Sequence, residues 1–414
     1  MNLLQDKVLL VSGGTQGVGA GIVRAAAGEG ATVAFTGRQR DAGDKFTAEL
    51  ASAGAGDTMS NPTTDSDLRV GVLGAGMMGA FHAKALSSRI RGARVTVIND
   101  AFAEKATELV AEVGARVVDD PIAAINDPEV DAVLIATPGA AHEGQVNACL
   151  DAGKPVLCEK PLTTDVSSAY ALVQKEAGMG HRLIQVGFMR RFDTEYVALK
   201  DLIDSGGLGN PLIVHCTHRN PAVPEFFDSE YMIRDSVVHE VDVARFLLDE
   251  ELTSVQVLSG VATSSAPTGT SDPMLVVFET ESGRLVTDEI FVRTGVAYEV
   301  RTEVVGERGS AIIGLDQKLQ AKTTDGRWGG RITPSFVERF SQAYETELQR
   351  WVDAARTRTV DGPGAWDGYA AVAVCEAGVE AVRTGRKVAV AMQPRPRVNL
   401  TGGITAPDLE GARP

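Results

Sequence analysis

Cysteine is scarce in this chain, with four thiols at positions 149, 158, 216 and 375 of 414 residues and no paired ligand spacing among them. Thiols so few and so scattered exclude a disulfide scaffold and point to a reducing compartment. Histidine is nearly as sparse: six residues, none in a His-Glu-x-x-His pair, so no metal is expected. No apolar run approaches the length of a membrane span, and Met1 to Lys7 carry no charged segment leading into an apolar stretch with a cleavage site. The expectation is a cytoplasmic protein without membrane contact. Positive charge is also in deficit, with 40 Lys and Arg against 55 Asp and Glu and no dense basic run, which argues against a nucleic-acid partner. What remains is a mildly acidic chain long enough for two or more domains.

The first 50 residues read as a β-α-β start. An apolar run at Val8-Leu9-Leu10-Val11 enters the turn Gly13-Gly14-Thr15-Gln16-Gly17-Val18-Gly19, followed by an alanine-rich helix and a strand at Thr32-Val33-Ala34-Phe35-Thr36. This segment resembles the opening of the short-chain dehydrogenase/reductase family, in which an arginine placed like Arg38 accompanies a 2′-phosphate. That family's Tyr-x-x-x-Lys pair has no counterpart before the composition changes at residue 51, so residues 1–50 are expected to be a partial Rossmann-like fragment. Residues 51–67 are small, polar and rich in Gly and Pro, the composition of a linker.

A second start at Leu68 is far more complete. The strand Arg69-Val-Gly-Val-Leu73 runs into Gly74-Ala75-Gly76-Met77-Met78-Gly79, then a helix, then a strand at Arg94-Val-Thr-Val-Ile98 that ends in Asn99-Asp100. A Gly-x-Gly-x-x-Gly alone is weak. Set between strand and helix, with an acid closing the second strand, it predicts a dinucleotide site in which Asp100 accepts from a ribose hydroxyl and repels a 2′-phosphate, so NAD is favoured over NADP. Further helix and strand patterns continue to Leu183-Ile-Gln-Val-Gly187 and predict a parallel sheet over 68–187. Its carboxyl edge would receive Thr137-Pro138, His142 and Glu159-Lys160-Pro161. The cofactor residues expected are Gly74, Gly76, Met77, Met78, Gly79, Asp100, Thr137, His142, Glu159 and Lys160.

Past residue 187 the pattern changes to several alternating strands with turn residues between them, which predicts a second α/β domain over 188–397 with a large, mostly antiparallel sheet. The polar tail over 398–414 is expected to be loose. In Asp235-Ser-Val-Val-His239-Glu-Val-Asp242, spacings of four and three residues put Asp235, His239 and Asp242 on one face of a helix. A neutral histidine near pH 7 accepts a proton, a carboxylate sets its tautomer, and a lysine such as Lys160 polarises a carbonyl as it forms. In the strand Pro211 to Asn220, His218 and Asn220 point to one side, where both could bind a polyol.

From Leu68 to about Arg397 the chain resembles the glucose-fructose oxidoreductase and inositol dehydrogenase family, also called Gfo/Idh/MocA. Glu159-Lys160-Pro161 is that family's hallmark. The resemblance implies Lys160, Asp235 and His239 as the catalytic set, with the lysine at the reacting hydroxyl, His239 as base and the proline commonly cis. Motifs closer to the inositol-oxidising members are Val186-Gly-Phe-Met-Arg-Arg-Phe192-Asp193, His218-Arg219-Asn220-Pro221 and Gly364-Ala-Trp366-Asp367-Gly368-Tyr369. The family would give His218, Asn220, Asp242 and Tyr298 to ring hydroxyls, beside Lys160, Asp235 and His239. Also implied are NAD-dependent oxidation of myo-inositol to its 2-keto product, scyllo-inosose, and a homotetramer joined through the second sheet. Oxidation of another cyclic polyol or an aldose such as glucose, and a non-catalytic nucleotide- or polyol-binding protein, are the alternatives.

Overall fold

The computed structural model describes residues 8–11, 17–29, 31–35, 67–315, 321–323, 326–328 and 333–396. Its contacts divide the chain into two units, Met1–Asp67 and Leu68–Pro414. In the first, β1 (Val8–Val11), α1 (Gly17–Gly28) and β2 (Thr32–Phe35) follow in order, and the two strands pair in parallel. Ala20, Val23, Ala26, Ala27, Ala31 and Val33 make its small core. Arg38, the linker except Asp67, and the tail over 398–414 lie outside the described residues.

The second unit opens with a steady alternation: β3 (Leu68–Leu73), α2 (Met77–Ser88), β4 (Ala93–Asn99), α3 (Ala103–Val113), β5 (Arg116–Val117), α4 (Pro121–Asn126), β6 (Ala132–Ile135), α5 (His142–Asp151), β7 (Val156–Glu159), α6 (Val166–Met179) and β8 (Ile184–Gly187). The strands form one sheet in the order β5-β4-β3-β6-β7-β8, every pair parallel. Such a sheet is covered on both faces, which is why Val70, Val72, Leu73, Val133, Leu134 and Ile135 are all fully buried. Chain order reverses between β3 and β6, so a crevice opens at the carboxyl ends of those strands. Side-chain caps help start the helices: Asp120 accepts from the Ala123 amide at α4, and Asp165 accepts from the Ser168 amide at α6.

Next come α7 (Thr194–Asp204), β9 (Pro211–Arg219), α8 (Ser229–Met232), a π-helical turn (Ile233–Val237), α9 (Val238–Leu248), β10 (Leu252–Ser259), β11 (Met274–Thr280), β12 (Leu285–Phe291), β13 (Glu299–Gly306) and β14 (Gly309–Ile313). The short β15 (Ala321–Thr323) and β16 (Gly326–Trp328) pair with each other, and α10 (Phe336–Ala355), α11 (Ala365–Thr384) and β17 (Val388–Ala389) follow. The second sheet has the order β14-β13-β9-β12-β11-β10-β17 and is antiparallel except where β12 meets β9. One face buries Val214, Val276, Phe278, Val286, Ile290 and Val304, while the other leaves Leu212, His215, Leu258, Leu275 and Leu285 exposed.

Helix α10 returns to the first sheet. Its Leu348, Trp351, Val352 and Ala355 share a core with Val70, Val72 and Leu86, so a late segment of chain closes an early hydrophobic face. The single helix expected to carry Asp235, His239 and Asp242 is interrupted. Asp235 sits in the π turn, whose i→i+5 hydrogen bonding widens the helix, and α9 begins only at Val238.

Candidate active site

The glycine turn between β3 and α2 is built for close approach. Gly74 has φ 92°, and a side chain there would meet the backbone of Ala136 at 2.5 Å; one at Gly79 would lie 1.8 Å from the Gly74 carbonyl oxygen. Nothing lies within 4 Å of the position a Gly76 side chain would take. The N-terminus of α2 is therefore open just where a pyrophosphate needs backbone amides, and the residues present fit a dinucleotide. Met77 is exposed and Met78 packs partly against the core. At the end of β4, Asp100 accepts from the Ala75 amide at 2.6 Å through Oδ2 and from the Phe102 amide at 2.8 Å through Oδ1. The acid expected to face the ribose also braces the glycine turn.

At the neighbouring strand ends, Thr137 donates from Oγ1 to Gln145 Oε1 at 2.7 Å. The buried His142 places Nδ1 2.7 Å from the Pro161 carbonyl oxygen and Nε2 2.8 Å from that of Thr137, tying these two loops together. The Lys160–Pro161 bond is cis. Glu159 faces His82 of α2, whose Nε2 lies 2.7 Å from its Oε1, and its Oε2 is 3.3 Å from the Lys160 amide. His82 was not singled out by sequence. Its only signal is a place three residues past Gly79 on the buried side of α2.

Lys160 Nζ reaches the π turn, donating to Asp235 Oδ1 and to the Asp235 carbonyl oxygen, both at 2.9 Å. Asp235, expected on one helix face with His239, thus holds the lysine. The described residues offer the His239 ring no hydrogen bond; burial, then the charges of Lys160 and Arg190 and the nearby His218, push its pKa well below the ordinary imidazole value. It is neutral at pH 7 and free to take a proton.

His218 stands beside it, ring centroids 6.4 Å apart, and Tyr298 meets His218 edge-on at 5.8 Å. Burial pushes the Tyr298 phenol up to about 12, so it remains a donor. Asn220, just past β9, keeps a buried Oδ1 with no partner among the described residues. Asp242 follows His239 by three residues on the same helix, α9. It is fully buried and takes Arg191 in a two-pronged ion pair, its Oδ1 2.6 Å from Arg191 Nη2 and its Oδ2 3.0 Å from Nε; Arg191 also reaches Asp367. A buried carboxylate is costly unless paired, and Arg191 is the cation it meets.

Two residues that sequence reading passed over complete the site. Arg190 and Glu240, both buried, form an ion pair behind His218, whose Nδ1 lies 3.1 Å from Glu240 Oε2. Arg190 lies in the quoted Phe188-Met-Arg-Arg motif and Glu240 directly follows His239, but charge in those positions gives no sign of burial. A small cavity of about 130 Å³ abuts Pro161, Asp235 and Val238. A larger one of about 610 Å³ lies off the Lys160 and His239 group, at Arg245, Trp366 and Asp367.

Residues 68–188 match the model of an oxidoreductase family with an NAD-binding Rossmann fold, and residues 200–390 match that family's C-terminal alpha/beta domain. The chain belongs to the Gfo/Idh/MocA oxidoreductase family. An inositol 2-dehydrogenase from Rhodococcus erythropolis is 61% identical over 340 residues, covering 81% of this chain and 98% of that protein. One from Mycolicibacterium smegmatis is 56% identical over 342 residues, covering 81% and 99%. Among solved structures, myo-inositol dehydrogenase from Lactobacillus casei in complex with NAD(H) and myo-inositol superposes with a TM-score of 0.77 at 34% identity, over 80% of this chain and 99% of that one. As a family member the chain is an NAD-dependent oxidoreductase, and the family match begins where the second glycine turn's strand begins.

Proposed function

We propose that this enzyme oxidises myo-inositol at C2 to 2-keto-myo-inositol with NAD, in the cytoplasm and within inositol catabolism. The observation that carries this is a lysine fixed by Asp235 beside a neutral His239, with the rings of His218 and Tyr298 gathered next to it. Residues 68–187 hold the nucleotide and residues 188–397 the polyol. Gly74, Gly76, Met77, Met78 and Gly79 carry the pyrophosphate side, Asp100 the ribose, and Thr137, His142, Glu159 and Lys160 the nicotinamide side. Bound NAD supplies the acceptor for the hydride leaving the alcohol carbon. Every other element of the chemistry belongs to the chain.

His239 takes the hydroxyl proton as the carbon–oxygen bond gains double-bond character. Lys160, held in place by Asp235, donates to that oxygen and steadies the charge that develops on it. His218, Asn220 and Tyr298 bind neighbouring ring hydroxyls. A ring with a hydroxyl on every carbon needs several directional partners, and a site that supplies them rejects analogues lacking one. The close similarity to inositol 2-dehydrogenases supports this substrate over glucose. Asp242, three residues past His239 on α9, is paired with Arg191 and directs its remaining lone pairs to a ring hydroxyl. The enzyme assembles as a homotetramer through the open face of the second sheet, where Leu212, Leu258, Leu275 and Leu285 are exposed. Absorbance of NADH formed from myo-inositol, scyllo-inositol and glucose tests the substrate: turnover of glucose without turnover of myo-inositol overturns the assignment.

A further inference from the structure

His218 can read a hydroxyl in two opposite ways. With its ring hydrogen on Nδ1, its Nε2 is an acceptor; with the hydrogen on Nε2, it is a donor. What lies behind the ring decides between them. His218 Nδ1 is 3.1 Å from Glu240 Oε2, and Glu240 in turn takes Arg190 through Oε1. All three side chains are buried, so no bulk water competes. Burial pushes the Glu240 carboxyl up, but Arg190 and His218 outweigh it and hold its pKa below the ordinary value. A carboxylate accepts only, so a bare lone pair on Nδ1 would face another lone pair at 3.1 Å in a low-dielectric interior. The Arg190 nitrogen 3.4 Å from the same Nδ1 is too distant to reverse this.

We propose that Glu240 is a positioning residue that fixes His218 as the Nδ1–H tautomer, so that Nε2 meets the polyol as an acceptor and selects a hydroxyl that points its hydrogen there. Arg190 has a second duty, as the counter-charge that keeps Glu240 ionised inside the protein and as a neighbour of the Tyr298 phenol. The ion pair is thus wired to two of the side chains given to ring hydroxyls, although neither member is placed against the ring itself. This role for Glu240 rests on the polyol site proposed above.

A double-mutant cycle on the full-length holoenzyme tests it. Glu240→Gln can offer His218 either an oxygen or an NH₂ group, so the tautomer is no longer dictated. The expected result is a KM for myo-inositol raised about tenfold, the loss of one hydrogen bond, with the KM for NAD unchanged. In a His218→Ala background the same change should have no further effect on that KM. An equal rise in both backgrounds, or none in either, overturns the proposal. Should Glu240→Gln fail to fold, Glu240→Asp keeps the charge but withdraws it from Nδ1, and the same cycle is read. In wild-type protein carrying ¹⁵N-histidine, NMR should find the His218 hydrogen on Nδ1; finding it on Nε2 refutes the role of Glu240 whatever the substrate. Absence of inositol turnover by wild type would refute the polyol site alone, since the tautomer measurement needs no substrate.

Discussion

The ammonium of Lys160 is gripped twice by one residue, through both the carboxylate and the backbone carbonyl of Asp235, each at 2.9 Å. Lys160 ends the run out of β7 and Asp235 sits in the π turn before α9, so this contact joins the edge of the nucleotide-binding sheet to the helix that carries His239. The wider turn matters because it presents the carbonyl as well as the carboxylate to the lysine, which fixes the cation without help from His239.

Removing the lysine should therefore damage chemistry more than binding. Lys160→Ala is expected to lower kcat with myo-inositol by about 10²–10³, the range for loss of one donor to a developing oxyanion, while the KM for NAD moves little. Asp235→Asn leaves a neutral oxygen for the lysine and should cost about tenfold, since charge-assisted hydrogen bonds are roughly twice as strong as neutral ones. Steady-state kinetics of the two variants check both, and Asp235→Asn with unchanged kcat would show that the carbonyl alone suffices.

His239→Ala should lower kcat/KM by about 10²–10⁴. Because burial and the nearby cations depress the pKa of His239 in the folded protein, the base stays neutral well below the ordinary value. The acid limb of kcat/KM that belongs to it should lie below about pH 6.5. Stability follows the same sign. The unfolded chain binds this proton first, so the folded state loses stability as pH falls below about 6.5, and His239→Ala should flatten that part of a melting profile. An acid limb at or above that pH would place the base elsewhere.

Asp100 serves two ends at once, bracing the amides of Ala75 and Phe102 while its remaining lone pairs stay available to a ribose. Asp100→Ala should raise the KM for NAD about tenfold and narrow the preference over NADP by at least as much. Kinetics with both nucleotides separate the roles. A weaker grip on both with an unchanged ratio means that Asp100 supports the turn and another group reads the ribose.

The parts of this site that local pattern can express were legible in the sequence. Period and glycine placement gave the β3–α2 turn, and near-continuous apolar runs gave the parallel sheet. Residues meeting across long separations were not. His82 and Glu159 are 77 residues apart, and Arg190 and Glu240 are 50 apart. Helical spacing did not show the π turn at Asp235, because it assumes one uninterrupted helix, and at Asp242 it says nothing of which cation a neighbouring segment brings. The pairing of Asp242 with Arg191 depends on how α9 packs against the segment after β8, which no periodicity encodes.

Glu347 of α10 is fully buried, and neither carboxyl oxygen has a hydrogen-bond partner among the described residues. Burial, and then the negative charges of Glu159 and Asp242, push its pKa well above the ordinary value, so it is held as a neutral acid. In the unfolded chain it ionises above about pH 4.3, so its contribution destabilises the fold progressively as pH rises from there towards the folded pKa. Glu347→Gln removes that titration. The variant should melt on the order of 2–4 °C above wild type near pH 8, with the gap closing near pH 4–5. Calorimetric scans across that range check it, and a gap that widens towards low pH would refute the neutral acid.

The segment ahead of Leu68 is where the chain departs from its relatives, which match about 80% of it yet nearly all of their own length. Its described part is one β-α-β unit with a core of six small aliphatic residues, less apolar surface than a domain needs to stand alone. The unit from Leu68 onward has both sheets and the cores of Val70, Val72 and Trp351 and of Val214, Phe278 and Tyr369 within its own residues. Every residue of the proposed site also lies past 67. A chain starting at Ser66 should therefore fold, bind one NAD per subunit and keep kcat/KM for myo-inositol within about twofold of full length, a difference of less than 0.5 kcal/mol. Titration calorimetry and circular dichroism on both lengths decide the matter: a second NAD site in the full chain, or loss of folding on truncation, would make the segment a working domain rather than an appendage.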